Sequence, residues 1–165
     1  MAAKITPRHK MLGFYGVPVT EGDTTEITYT RMRKFTQLSQ SKNPIEYNRQ
    51  YVDEQFQQTD VMGYSPTIDY AFDRYSGYPM QEDIIKISDE ELVGEDAVRS
   101  IILVDTETGK AIKRDYSVIP NTEGDNINIY TYSGTLKCRG EKVHGTATSE
   151  DNWQTVTFTE STSTD

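Results

Sequence analysis

The sequence predicts a mainly β fold with one helix, built as two packed antiparallel sheets in a sandwich or barrel. Three observations carry this: apolar and polar residues alternate with a period of two in several segments, turn residues separate those segments, and a single stretch has helical start signals. Between Tyr64 and Tyr75, Ile68, Tyr70 and Phe72 point one way while Thr67, Asp69, Ala71 and Asp73 point the other, which describes a half-buried strand. From Arg99 a short apolar run reaches Asp105, Thr106-Glu-Thr-Gly109 turns the chain, and Lys110 to Pro120 returns as the second strand of a hairpin. In that return strand Ile112, Tyr116 and Val118 form a dry face and Lys113, Asp115 and Ser117 a wet one, with Arg114 falling on the dry side.

Asn121 to Asp125 make the next turn, and Asn126 to Arg139 read as one long strand in which Gly134 marks a bulge or a bend. Trp153 to Thr159 close the set, with Trp153, Thr155, Thr157 and Thr159 on one face and Val156 and Phe158 on the other. The helix is expected over Pro79 to Leu92: proline suits the first turn, Glu82 and Asp83 suit the positive N-terminal end, and Ile84, Ile85 and Ile87 supply the apolar stripe. Residues 1–10, polar and basic, read as an arm, and 160–165 as a disordered polar tail.

Gln40 to Met62 has few apolar residues and no clean period, so it makes no core. It is either a mobile loop or a protruding hairpin whose aromatics Tyr47, Tyr51 and Phe56 anchor to a neighbour.

Over 165 residues, one continuous domain is the simplest account. The net charge of −9 argues against a diffuse phosphate-binding surface. Cys138 is alone, so one chain can form neither a disulfide nor a thiolate metal cluster, and a reducing compartment fits. No apolar run is long enough for a membrane span or a signal peptide, so the cytoplasm is the expected compartment.

No phosphate loop, nucleophile elbow or zinc helix is present, and His9 and His144 are too far apart in sequence to suggest a ligand pair. The acidic clusters at Ser88–Glu91 and Gly94–Asp96 lack the order of a calcium loop, and the basic Arg31-Met-Arg-Lys34 reads as a solvated or ion-paired strand edge. No catalytic, cofactor or metal site is expected. What remains is a self-assembling structural subunit or, alternatively, a small protein-binding module.

Ser41-Lys-Asn-Pro-Ile-Glu-Tyr-Asn-Arg-Gln-Tyr-Val-Asp-Glu54 and Gln58-Thr-Asp-Val-Met-Gly-Tyr-Ser-Pro66 resemble the major tail tube proteins of long-tailed phages and prophages of Gram-positive bacteria. Glu82 to Val98, Lys110 to Arg114, Val118 to Asp125 and Tyr130 to Thr135 continue the resemblance in order. It implies two packed β-sheets flanked by a helix, six copies per ring, and rings stacked into a tube that serves as a virion tail. It also implies an inter-ring role for residues 40–62, with Tyr47, Arg49, Tyr51, Asp53 and Phe56 as subunit contacts. The implied partners are further copies of itself and other tail proteins such as tape measure, tail tip and terminator, with DNA passing through the lumen unbound. Six subunits would carry −54 (6 × −9), which repels phosphates from the wall. Asp69, Asp73, Asp115 and Asp125 are the lumen candidates, since alternation defines two faces without saying which is inner.

Overall fold

The computed structural model describes residues 3–161. In chain order the strands are β1 (Met11–Glu21), β2 (Thr24–Arg31), β3 (Phe35–Ser41), β4 (Pro44–Arg49), β5 (Gln58–Tyr64) and β6 (Thr67–Asp73). After helix α1 (Pro79–Asp89) come β7 (Val98–Asp105), β8 (Lys110–Glu123), β9 (Thr131–Cys138), β10 (Val143–Thr148) and β11 (Thr155–Glu160). The mainly β architecture with one helix is thus as expected.

Nine strands form one antiparallel sheet in the order β10-β11-β2-β1-β7-β8-β9-β6-β3. Because β10 also pairs with β8, the first six close into a small barrel, while β8-β9-β6-β3 continue outward as a four-stranded wing. β8 is long enough for both tasks: Lys110–Lys113 pair with β10, and Tyr116–Glu123 with β9. Strands β4 and β5 stand apart as a two-stranded hairpin.

Two cores follow from this closure. Phe14, Ile102, Val104, Ala111, Ala147 and Val156 fill the barrel. Tyr15, Val17, Ile101, Tyr116 and Val118, on the opposite face of the shared strands, join Ile68, Tyr70, Phe72, Tyr132 and Leu136 of the wing beneath the helical Met80, Ile84, Ile85 and Ile87. Strands β1 and β7 therefore bury both faces and show no period of two. Only an alternation test exposes this class of strand poorly.

Two polar devices dock the helix. Gln81 is fully buried: its carbonyl accepts from the Tyr75 amide (2.8 Å), and its amide donates to the carbonyls of Arg33 (3.0 Å) and Asp73 (3.1 Å). Asp83 accepts from the Tyr15 hydroxyl and from Arg99 Nε at 2.7 Å, and Arg99 Nη1 also donates to the carbonyls of Asp96 (3.0 Å) and Val98 (2.8 Å). Burial, together with Asp83, holds the Tyr15 phenol well above its ordinary pKa.

Several sequence expectations are corrected. The helix ends at Asp89, short of Leu92, where Glu91 turns to positive φ. The long strand expected from Asn126 begins at Thr131, because the Asn126 side chain accepts from the amides of Asn128 and Ile129 and curls the preceding loop. Ile112 lies partly exposed, and its neighbour Ala111 enters the barrel instead. Trp153, placed opposite Val156 and Phe158 by alternation, packs on the same core as they do, because positive φ at Asn152 and Trp153 breaks the pleat. Arg31–Lys34 is no solvated edge throughout: Met32 is buried, and Arg33 stacks on Tyr78 while donating to Gln154 at 2.8 Å.

At the termini, a 3-10 turn covers Arg8–Lys10, and Arg8 donates to the Leu38 carbonyl at 3.0 Å. Glu160 belongs to β11, and the Ser161 amide donates to the His144 carbonyl at 2.9 Å. Residues 1–2 of the expected arm and 162–165 of the expected tail lie outside the described residues.

Glycine is required where strands press together. A Cβ at Gly134 would lie 2.4 Å from the Ile119 carbonyl, opposite the bulge at Pro120/Thr122. At Gly145 it would lie 2.2 Å from the Thr159 carbonyl and 2.7 Å from the Phe158 ring. Gly145→Ala must displace backbone, and a cost of about 3 kcal/mol is expected in urea unfolding; a loss below about 1 kcal/mol would show that the barrel seam can relax.

The turn before β11 is organised by one carboxylate. Asp151 accepts from the Thr155 amide (3.0 Å) and hydroxyl (2.7 Å), the Ser149 hydroxyl (2.8 Å) and the Gln154 amide (3.1 Å), and these bonds, led by the Thr155 amide, lower its pKa to about 2 from an ordinary 3.8. A depressed folded pKa adds stability that is complete above the unfolded value and disappears as pH falls through the folded one. The melting-temperature gap between wild type and Asp151→Asn is therefore expected to be constant at neutral pH and to close between about pH 4 and pH 2. A gap independent of pH would place the benefit elsewhere than in the ionised carboxylate.

Candidate assembly surfaces

The wing has one covered and one bare face. On the bare face, alternation and register bring together Gln37, Ser39 and Ser41 of β3, Thr67, Asp69, Ala71 and Asp73 of β6, Thr131, Ser133, Thr135 and Lys137 of β9, and Asp115, Ser117 and Ile119 of β8. Small hydroxyl and carboxylate side chains dominate it. Asp69 accepts from Thr135 at 3.2 Å and Asp115 from Ser100 at 2.5 Å. Three of the four lumen candidates, Asp69, Asp73 and Asp115, thus share one face, whereas Asp125 lies in the β8–β9 loop at the end of the wing.

Neither lateral edge of the wing is fully paired with a described strand. β3 pairs with β6 alone, and no described strand pairs with the far side of β8 from Val118 to Glu123, since β7 stops at its partner Ser117. Unpaired edges are templates for another chain.

The β4–β5 hairpin is the third surface. The missing period in its sequence has a simple reason: beyond its root at Tyr64, both faces of this two-stranded ribbon are exposed, so no alternation is enforced. Ile45, Tyr47, Tyr51, Val52, Phe56, Val61, Met62 and Tyr64 are all exposed large apolar residues, Phe56 at 78%. Such a concentration of exposed apolar side chains is more than a monomer ordinarily leaves in water, which makes the hairpin a candidate interaction surface. Arg49 is used inside the ribbon: its Nη2 lies 2.5 Å from Asp60, its Nε donates to the Tyr51 hydroxyl at 2.8 Å, and its guanidinium lies over the Tyr47 and Tyr51 rings. It stiffens the hairpin and presents Tyr47 and Tyr51, while Asp53 and Phe56 sit exposed toward the tip.

Reactive chemistry is sparse. Cys138 packs against the main core, and among the described residues no group of three or more His, Cys, Asp or Glu is placed to hold a metal. Among the same residues no helix is long and apolar enough to cross a membrane.

Neither the protein families nor the curated proteins compared with this chain contain a match. Among solved structures the chain is similar to one in "Cryo-EM structure of the anti-feeding prophage (AFP) baseplate, 6-fold symmetrised", with 10% identity, a TM-score of 0.47, and 87% of this chain and 97% of that chain covered. That likeness is too loose to carry an inference about this chain.

Proposed function

We propose that the chain is a phage-type major tail tube protein, a non-enzymatic virion subunit that forms six-membered rings stacked into the channel for DNA. The observation that carries the reading is the wing: a four-stranded sheet with an apolar face packed under the helix, a bare polar face, and neither outer edge fully paired with a described strand. Edge β3 of one copy against β8 of the next is a head-to-tail contact, the kind that closes into rings. The bare faces then line the lumen, where Asp69, Asp73 and Asp115 outnumber the one cation, Lys137, and the balance of charge repels phosphates. The hairpin, with its exposed aromatics, supplies contact between rings. This agrees with the ordered resemblance along the sequence.

Negative-stain microscopy with light scattering on the purified chain, at low and high concentration and with tail-tip extract as seed, tests the reading. Rings or hollow tubes are the expected result; a strict monomer under every condition, seeded included, would overturn it. A second test addresses the lumen. Lysine at Asp69 or Asp73 is expected to slow DNA ejection from assembled particles by about tenfold at low salt, with the difference shrinking as salt rises. Unchanged kinetics would show that those positions do not face the DNA.

A further inference from the structure

The wing is electrically polar along its strands. At its hairpin-root end lies an open cleft of about 540 Å³, whose lining includes Lys42, Lys142, His144 and Arg114 above Tyr64 and Ile112. No carboxylate is among the described lining residues. Arg114 Nε is shielded from solvent and has no acceptor among the described residues. Lys42, Lys142 and Arg114 gathered in one cleft, with no carboxylate among its described lining residues, make it a favourable place for an anionic group.

The other end of the same strands is acidic. β8 runs from Arg114 to Glu123, about 30 Å at ordinary strand rise. Around its far end stand Glu123 and Asp125 and, at the helix C-terminus, Asp89, Glu90 and Glu91, with Ser88 donating to Glu123 at 3.4 Å. Lys86, Arg74 and Lys34, the last beside Asp73, are cations at this same end. Tyr130 donates to Glu123 at 2.9 Å, and that bond, with Asp89 adding, raises its phenol pKa. β1 runs parallel to β8, since both are antiparallel to β7, so the β1–β2 turn adds Glu21 and Asp23 at this end.

We propose that the basic cleft receives the β8–β9 loop, residues 123–130, of a second copy, so that subunits of successive rings stack acidic end to basic end with a fixed polarity. This rests on the tube reading above and names the receptor within it. Translation along the strands is the displacement that repeats one ring upon another, and it brings this loop to the cleft. The loop matches it chemically: Asp125 and Glu123 face the cations, while Ile127, 98% exposed, and Ile129 meet the apolar floor of Tyr64 and Ile112. Charge sets the orientation and the apolar pair gives the adhesion.

The experiment is a charge swap on two exposed residues, Lys142→Glu and Asp125→Lys, singly and together, assembled at low and high salt with tail-tip seeds. Each single variant is expected to form rings yet shorten median tube length about tenfold, equivalent to about 1.4 kcal/mol per ring junction, shared among its six contacts; the double variant is expected to recover wild-type length. Wild-type tubes are expected to shorten as salt rises. Single variants with full-length tubes, or a double variant as defective as the singles, overturn this pairing and leave the tube reading standing. A wild type that stays monomeric with seeds overturns both.

Discussion

Replacing Tyr47 and Phe56 together with serine is expected to raise the protein concentration needed for tube growth about a thousandfold. Aromatic anchors at the centre of an interface cost about 2 kcal/mol or more each when truncated, and two such losses amount to nearly three powers of ten. The fold should be untouched, because both side chains are exposed on a ribbon that contributes nothing to either core. Circular dichroism and melting temperature therefore serve as the control, and scattering against concentration is the readout. Growth at the wild-type concentration would show that the hairpin's apolar surface serves something other than stacking. Serine is the better choice than alanine here, since it also keeps the variant soluble.

The second large effect is expected inside the fold. Arg99→Met should destabilise the protein by about 3–5 kcal/mol, because it leaves the Asp83 carboxylate buried against Tyr15 with its cation gone. Asp83 joins the helix to β1 and β7 at once, so the damage should appear as loss of the helix from the wing core. The double variant Asp83→Leu with Arg99→Met, which removes both charges, should recover most of that loss. Denaturant midpoints for the wild type, the single and the double variant decide it. A single variant within about 1 kcal/mol of wild type would mean that water reaches the carboxylate and the pair carries little.

What was legible in the sequence was whatever had one wet face. Ile68, Tyr70 and Phe72 against Asp69 and Asp73 gave β6, its buried side, and the face that holds three of the acidic candidates. The helix was legible from Pro79 and its isoleucines. β1 was missed, because Gly13 to Val17 are buried on both sides and a strand of that kind has no alternation to find. β10 was missed because small Gly145 and Ala147 fill its inner positions and give no apolar signal. In β2, Ile27 and Tyr29 alternate with threonines, a period-two signal carried by a strand that is largely exposed. Of the candidate surfaces, the hairpin was foreseen as one of two forms. The open edges and the basic cleft were not, since both arise from pairing between distant segments.

The barrel's seams also set a schedule. Strand β1 needs β7, with Tyr15 against Ile101, and β2 needs β11, with Thr30 against Thr155. Contacts so distant in sequence make folding slow. During translation, β2 must wait for a partner synthesised well over a hundred residues later, at about 5–20 residues per second. The hairpin, whose strands are neighbours, can form long before. A nascent chain thus carries its exposed apolar ribbon early and the unpaired edge of β8 late, since β8 takes its place only once β7, β9 and β10 flank it. One of the two edges on which the proposed ring contact depends is thereby withheld until the chain is nearly whole, and the timing is written in the order of the strands.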